Sequence, residues 1–116
     1  MNFLIIFIIK ILPSKDYSFA LTLHNFSNTE YKWLEKTLDK LSDQFEFIDP
    51  NKADQILTRK ENRKRILLTF DDGYKSNRFV AEKILKPRGI KALFFITSSF
   101  VGLKGKKSSN FAKKNF

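Results

Sequence analysis

Arg65-Ile66-Leu67-Leu68-Thr69-Phe70-Asp71-Asp72-Gly73 is the stretch from which the rest of the chain can be read. Ile66 to Phe70 are apolar or β-branched, the composition of a short buried strand. The run breaks at once into two carboxylates and a glycine. The strand fixes where the carboxylates sit. Gly73 lets the chain turn, because glycine tolerates a positive φ without steric cost. Two adjacent aspartates at a strand end can divide labour, one binding a metal and the other acting on water.

The surrounding residues predict a strand–helix–strand unit over 65–101. Ser76 or Asn77 is placed to cap a helix after Gly73. Val80 and Ile84, with Ala81 and Leu85, repeat at spacing four and give that helix an apolar face. Pro87 and Gly89 stop it. Lys91 to Ile96, containing Leu-Phe-Phe-Ile, reads as a second buried strand. Such a unit is a right-handed parallel crossover. In parallel α/β architectures functional residues gather at the C-terminal ends of strands, where Asp71 and Asp72 fall.

Upstream, Tyr17 to Leu23 alternate, with Phe19, Leu21 and Leu23 on one face and Ser18, Ala20 and Thr22 on the other. That period of two predicts a strand, and His24 follows on its polar side. Ser27 and Glu30 form a capping-box pattern, and Phe26 and Tyr31 are spaced for a hydrophobic staple. Leu34, Leu38, Leu41 and Phe45 then predict an amphipathic helix ending near Ser42 or Asp43. Phe45 to Ile48 reads as a short strand, Asp49-Pro50-Asn51 as a turn, and Ala53 to Leu57 as one or two helical turns.

Composition sets the outer bounds. The 116 residues suit one domain at most, and 42% hydrophobic residues with 13 Phe supply a real core. There is no cysteine, which excludes disulfides and thiolate metal sites, and His24 is the only histidine. The net charge of +10 favours anionic partners. Phe3 to Ile9 are seven consecutive apolar residues, far short of the ~20 that a spanning helix needs. Ser18-Phe19-Ala20 has the form of a cleavage site, but no basic residue precedes the apolar run. The favoured reading of residues 1–16 is an apolar segment that packs on the domain or touches a membrane surface. Arg59 to Arg65 holds five basic residues and one Glu and reads as a solvated connector. Residues 104–116 hold five Lys and no acid, and read as a disordered basic tail.

Thr69-Phe70-Asp71-Asp72-Gly73 resembles the first signature motif of the polysaccharide deacetylases, metal-dependent carbohydrate de-N-acetylases. Gly89-Ile90-Lys91-Ala92-Leu93-Phe94-Phe95-Ile96 resembles that family's next strand, with Leu93 where Thr is usual. Ala20-Leu21-Thr22-Leu23-His24-Asn25 is similar to the opening strand of many members. The likeness covers residues 17–103. It implies an α/β fold, an incomplete (β/α) barrel of which this chain holds the first few β/α units. It also implies a divalent metal, usually zinc, and an N-acetylated glycan substrate. By the same resemblance Asp71 matches the general base and Asp72 a metal ligand, while His24 is expected to line the pocket or to serve structurally at a strand end.

The family's other two ligands come from a His-x-x-x-His motif, and this chain has none. The expectation is therefore an N-terminal fragment carrying only the first motif. It would belong to an enzyme that hydrolyses N-acetyl or O-acetyl groups when complete, and would be inactive by itself, since a catalytic zinc site takes three protein ligands plus water. Two alternatives stay open. One is a degenerate domain kept as a carbohydrate-binding module. The other is a small basic protein that binds nucleic acid or anionic membrane, which leaves Asp71-Asp72-Gly73 unexplained; no nucleic-acid partner is expected on the favoured reading. Cytoplasm and envelope both stay open as locations.

Overall fold

β3 (Arg65–Phe70) is the centre of the sheet. Five of its six residues are buried, as the apolar run in the sequence implies, and Ile66, Leu68 and Phe70 have no exposed surface. Burial of each such side chain contributes about 1.5–3 kcal/mol. The computed structural model describes residues 18–54 and 63–115. The expectations for residues 1–16, for 55–57 and for 59–62 lie outside the described residues.

β1 (Ser18–Leu23) pairs with β3 in parallel over its full length, from Ser18 opposite Arg65 to Leu23 opposite Phe70. β2 (Glu46–Phe47) and β4 (Leu93–Phe94) both run parallel to β3 along its other side. β2 meets the start of β3 at Arg65 and Ile66, and β4 meets its end at Thr69 and Phe70. The fold is thus mixed α/β with an all-parallel four-stranded sheet. Parallel strands place all their C-terminal ends on one side, so the residues after β1, β3 and β4 share an edge.

Helix α1 (Tyr31–Ser42) lies between β1 and β2 and buries Leu34, Leu38 and Leu41 at the predicted spacing. Helix α2 begins at Lys75–Phe79, widens to π geometry over Val80–Leu85 and tightens to a 3-10 turn over Lys86–Arg88. Gly89 ends it in the left-handed conformation, φ 64°. Both crossovers step across the sheet in the same direction, so one hand of connection puts both helices on one face. That face holds the main core: Leu23, Leu34, Leu38, Leu68, Phe70, Val80 and Ile84 form one cluster. A smaller cluster joins Leu41, Phe45 and Ile66. The other face carries Ser18, Ala20 and Thr22 on β1, and Arg65, Leu67 and Thr69 on β3. There the Thr69 hydroxyl donates to the Thr22 hydroxyl at 2.9 Å.

Four expectations need correction. Ser27 and Glu30 make half of a capping box. The Glu30 carboxylate accepts from the Ser27 N–H at 2.8 Å, but the Ser27 hydroxyl donates to the same carboxylate, so it caps nothing. The helix proper starts one turn later, at Tyr31. The staple is also not formed: Tyr31 stacks on Phe79 with ring centroids 4.3 Å apart, and Phe26 turns toward Phe70. The strand expected over 91–96 shrinks to Leu93–Phe94. It lies at the sheet edge with no outer neighbour among the described residues, and Phe95 and Ile96 are exposed rather than buried. Finally, the tail expected to lack structure contains a helix. Lys106–Asn115 forms helix α3, held to the domain by Phe111, whose ring meets that of Phe100 at 5.7 Å.

Candidate active site

The end of β3 is tied down from both sides before any functional side chain is considered. The Asp71 N–H donates to the Leu23 carbonyl of β1 at 3.0 Å, and the Phe95 N–H donates to the Phe70 carbonyl at 2.8 Å. The chain then turns through Asp72 and Gly73, both with positive φ, 68° and 70°. Glycine takes that conformation freely, whereas a side chain there costs on the order of 1 kcal/mol, less for Asp than for most residues. The strained residue is thus one of the two candidate functional carboxylates, as is common where geometry serves chemistry. Ile96 closes over the turn and leaves only 3.4 Å between its Cγ2 and the place a Cβ on Gly73 would occupy.

The structure brings together two of the three residues singled out by sequence, His24 and Asp72. His24 follows β1 and Asp72 follows β3, and His24 Nδ1 lies 3.7 Å from Asp72 Oδ2. Both side chains are open to solvent, at 58% and 37% exposure. Asp71 is half-buried, and its carboxylate makes no hydrogen bond or ion pair among the described residues.

The residues that hold this arrangement were read as helix caps in the sequence, and here the structure corrects the reading. Tyr74 occupies the cap position of α2 without a side-chain cap bond. Ser76 instead reaches back to the loop after β1: its hydroxyl accepts from the Phe26 N–H at 3.2 Å and donates to Asn25 Oδ1 at 2.7 Å. Asn77 is buried, and its Nδ2 donates to the Asp71 carbonyl at 3.3 Å. Two consecutive side chains on the first turn of α2 thus stitch the end of β1 to the end of β3. Two small polar residues opening an otherwise apolar helix face were the available signal.

The donors suit part of a metal site. Two ligands at metal distances of about 2.0–2.2 Å and a tetrahedral angle stand about 3.4 Å apart. The His24–Asp72 separation is close to that edge. Yet no group of three His, Cys, Asp or Glu able to hold a metal occurs among the described residues. As it stands the donor set does not fit a resident ion. A cleft of about 500 Å³ lies elsewhere, lined by Pro50, Leu85, Ile90, Ala92 and Phe94, and includes neither aspartate. No helix among the described residues is long and apolar enough to cross a membrane.

Comparison with known proteins agrees with this picture. Residues 58–113 match the family model described as "Polysaccharide deacetylase". That match spans β3, the Asp71–Gly73 turn, α2, β4 and almost all of α3. The chain is also 35% identical over 75 residues to the "Putative polysaccharide deacetylase YxkH" of Bacillus subtilis (strain 168). The similarity takes in 63% of this chain and 25% of that relative, so the chain matches about a quarter of the relative's length.

Proposed function

We propose, from the likeness of residues 58–113 to the polysaccharide deacetylase family, that the chain supplies the first-motif portion of a glycan deacetylase site. The family is generally metal-dependent and acts on acetylated polysaccharides. The proposed reaction is hydrolysis of an N-acetyl or O-acetyl group on a glycan. The observation that carries this reading is the turn at the end of β3. It holds Asp71 half-buried, its carboxylate without a partner among the described residues, next to Asp72, which faces His24 across the strand ends.

In this reading Asp71 is the general base. A half-buried carboxylate with no competing hydrogen bond is suited to take a proton from water. Asp72 is a carboxylate ligand for a divalent cation, zinc by the family's usual choice. His24 lines the pocket beside it. The described residues do not complete a metal site, so no step of the hydrolysis is assigned to them alone. The missing donors have to come from outside them, as would the further β/α units of a barrel.

Two measurements test this. Titration of the ¹⁵N-labelled chain with N-acetylglucosamine oligomers should shift the amides of Leu23–Asn25 and Asp71–Tyr74 selectively; shifts confined to other surfaces would sink the site. Acetate release from the same oligomers with added zinc or cobalt should be absent for the chain alone. Metal-dependent release, abolished by Asp71→Asn, would show instead that these residues suffice.

A further inference from the structure

The net charge is not spread along the chain. Residues 83–116 carry nine lysines and arginines and no aspartate or glutamate, whereas residues 1–82 carry thirteen basic and twelve acidic side chains. Nearly all of the +10 thus belongs to the last third. Part of it is neutralised in the fold. Arg88 pairs with Asp39 and Glu35, and Lys91 with Asp49. Lys83 and Lys86 sit near enough to Glu82 to favour its ionised form. Lys104, Lys106, Lys107, Lys113 and Lys114 are left, all exposed and none in an ion pair among the described residues.

Four of these five share one face of α3. At 100° per residue Lys106, Lys107, Lys113 and Lys114 fall within an arc of about 120°. The opposite face holds Ser108, Phe111 and Ala112, the half-buried positions of the helix. Phe111 packs on Phe100, which lies in the segment leaving β4, and Ile96 of that segment closes over Gly73. The lysine face is therefore mounted on the segment that covers the carboxylate turn. A helix face kept solely for solubility mixes charge signs, whereas a one-sign face focuses a field that gathers anions.

We propose that the lysine face of α3 binds an anionic glycan, a polysaccharide bearing carboxylate or phosphate groups along with its acetylated sugars. The choice of a glycan rests on the deacetylase reading; the choice of a polyanion rests on the charges alone. A bilayer fits less well, because the apolar side of α3 is already turned onto Phe100 and leaves no broad apolar face to insert. Nucleic acid fits less well because the described residues of that face include no arginine fork and no exposed aromatic to stack a base.

The test uses the intact chain and four probes: polygalacturonate, a neutral N-acetylglucosamine oligomer, phosphatidylglycerol vesicles and duplex DNA. Polygalacturonate should bind most tightly, with affinity falling as salt rises. The variant Lys106→Gln/Lys107→Gln/Lys113→Gln/Lys114→Gln should lose about tenfold or more of that affinity, since each neutralised charge contributes through counterion release. Its circular dichroism should be unchanged, because all four side chains are exposed. Equal binding by the variant overturns the proposal, as does equal or tighter binding to vesicles or DNA. If polygalacturonate binds but acetylated oligomers never perturb the Asp71–Tyr74 amides, the deacetylase site fails while the lysine face stands.

Discussion

Asn77 donates from Nδ2 to the Asp71 carbonyl at 3.3 Å, while its Oδ1, equally buried, meets no donor among the described residues. An orphaned buried acceptor costs about 1–3 kcal/mol, and one neutral hydrogen bond returns about 1 kcal/mol. As a contributor to stability alone, Asn77 is a poor choice. As the clamp on the turn that presents Asp71, it has a reason to be there. Asn77→Leu should therefore change unfolding free energy in urea by less than about 1 kcal/mol in either direction. The amide shifts of Asp71–Gly73 should move and their exchange protection should fall. By contrast Ile84→Ala, in the core beside it, should cost about 2–5 kcal/mol. A loss of that size in Asn77→Leu would make the residue structural.

Asp72 and Gly73 share a positive φ yet differ in what they tolerate. Gly73→Ala must hold an alanine at 70° with its Cβ 3.4 Å from Ile96, and should destabilise by about 1–2 kcal/mol. Asp72→Gly removes strain together with the carboxylate, and should leave stability unchanged or slightly raised. Denaturant unfolding of both variants decides it. A clear loss in Asp72→Gly would show that its contact with His24 outweighs the strain.

The response to acid follows from paired carboxylates, Asp39 and Asp49 among them. The Arg88 guanidinium, bonded to Asp39 at 2.8 Å, holds that carboxyl below its usual value, and the Lys91 ammonium, with the Asn51 N–H, does the same for Asp49. A carboxyl lowered in the folded state gives stability that is present above its unfolded value, near 3.8, and lost as pH falls through the lower folded value. Thermal midpoints should be flat around neutrality and fall below about pH 4. Asp39→Asn should lower the midpoint modestly at pH 7, as expected for an exposed pair, and should match the parent in strong acid. A difference that grows toward low pH would contradict the sign.

The outer edge of β4 predicts self-association. Phe95, Ile96 and Val101 are 51%, 66% and 68% exposed beside an edge strand that has no outer neighbour among the described residues. Such an edge is a template for pairing. Sedimentation velocity should show species that grow with concentration, and Ile96→Lys should suppress them. A monomer at all concentrations, melting cooperatively at high temperature, would argue that the edge is covered.

What sequence made legible depended on whether local pattern and tertiary packing agreed. β1 was readable from its period of two, and β3 because an unbroken apolar run suits a strand buried on both faces. α1 was readable because Leu34, Leu38 and Leu41 keep helical spacing. β4 misled, since Leu-Phe-Phe-Ile has the composition of a buried strand wherever it lies, and nothing in it says whether a neighbour is present. α3 misled because its lysines hid a single anchoring aromatic, Phe111. Asp71, Asp72 and His24 could be named but not joined: the 3.7 Å between His24 and Asp72 depends on a pairing of residues far apart in sequence. Ser76 and Asn77 were seen, but given the cap role that such residues usually fill.

The central place of β3 also governs the order in which the molecule can come into being. Ser18 pairs with Arg65, so β1 must wait about 47 residues of synthesis for its partner, and β2 waits for the same strand. Neither pairs with anything else among the described residues. On the ribosome, α1 and two strands would emerge as a chain with nothing to close upon until Phe70 is made. Asp71 and Asp72 follow immediately. Such distant parallel pairing is intrinsically slow. The event that ends the wait is the same one that sets Asp72 beside His24, so sheet and site arrive in a single step.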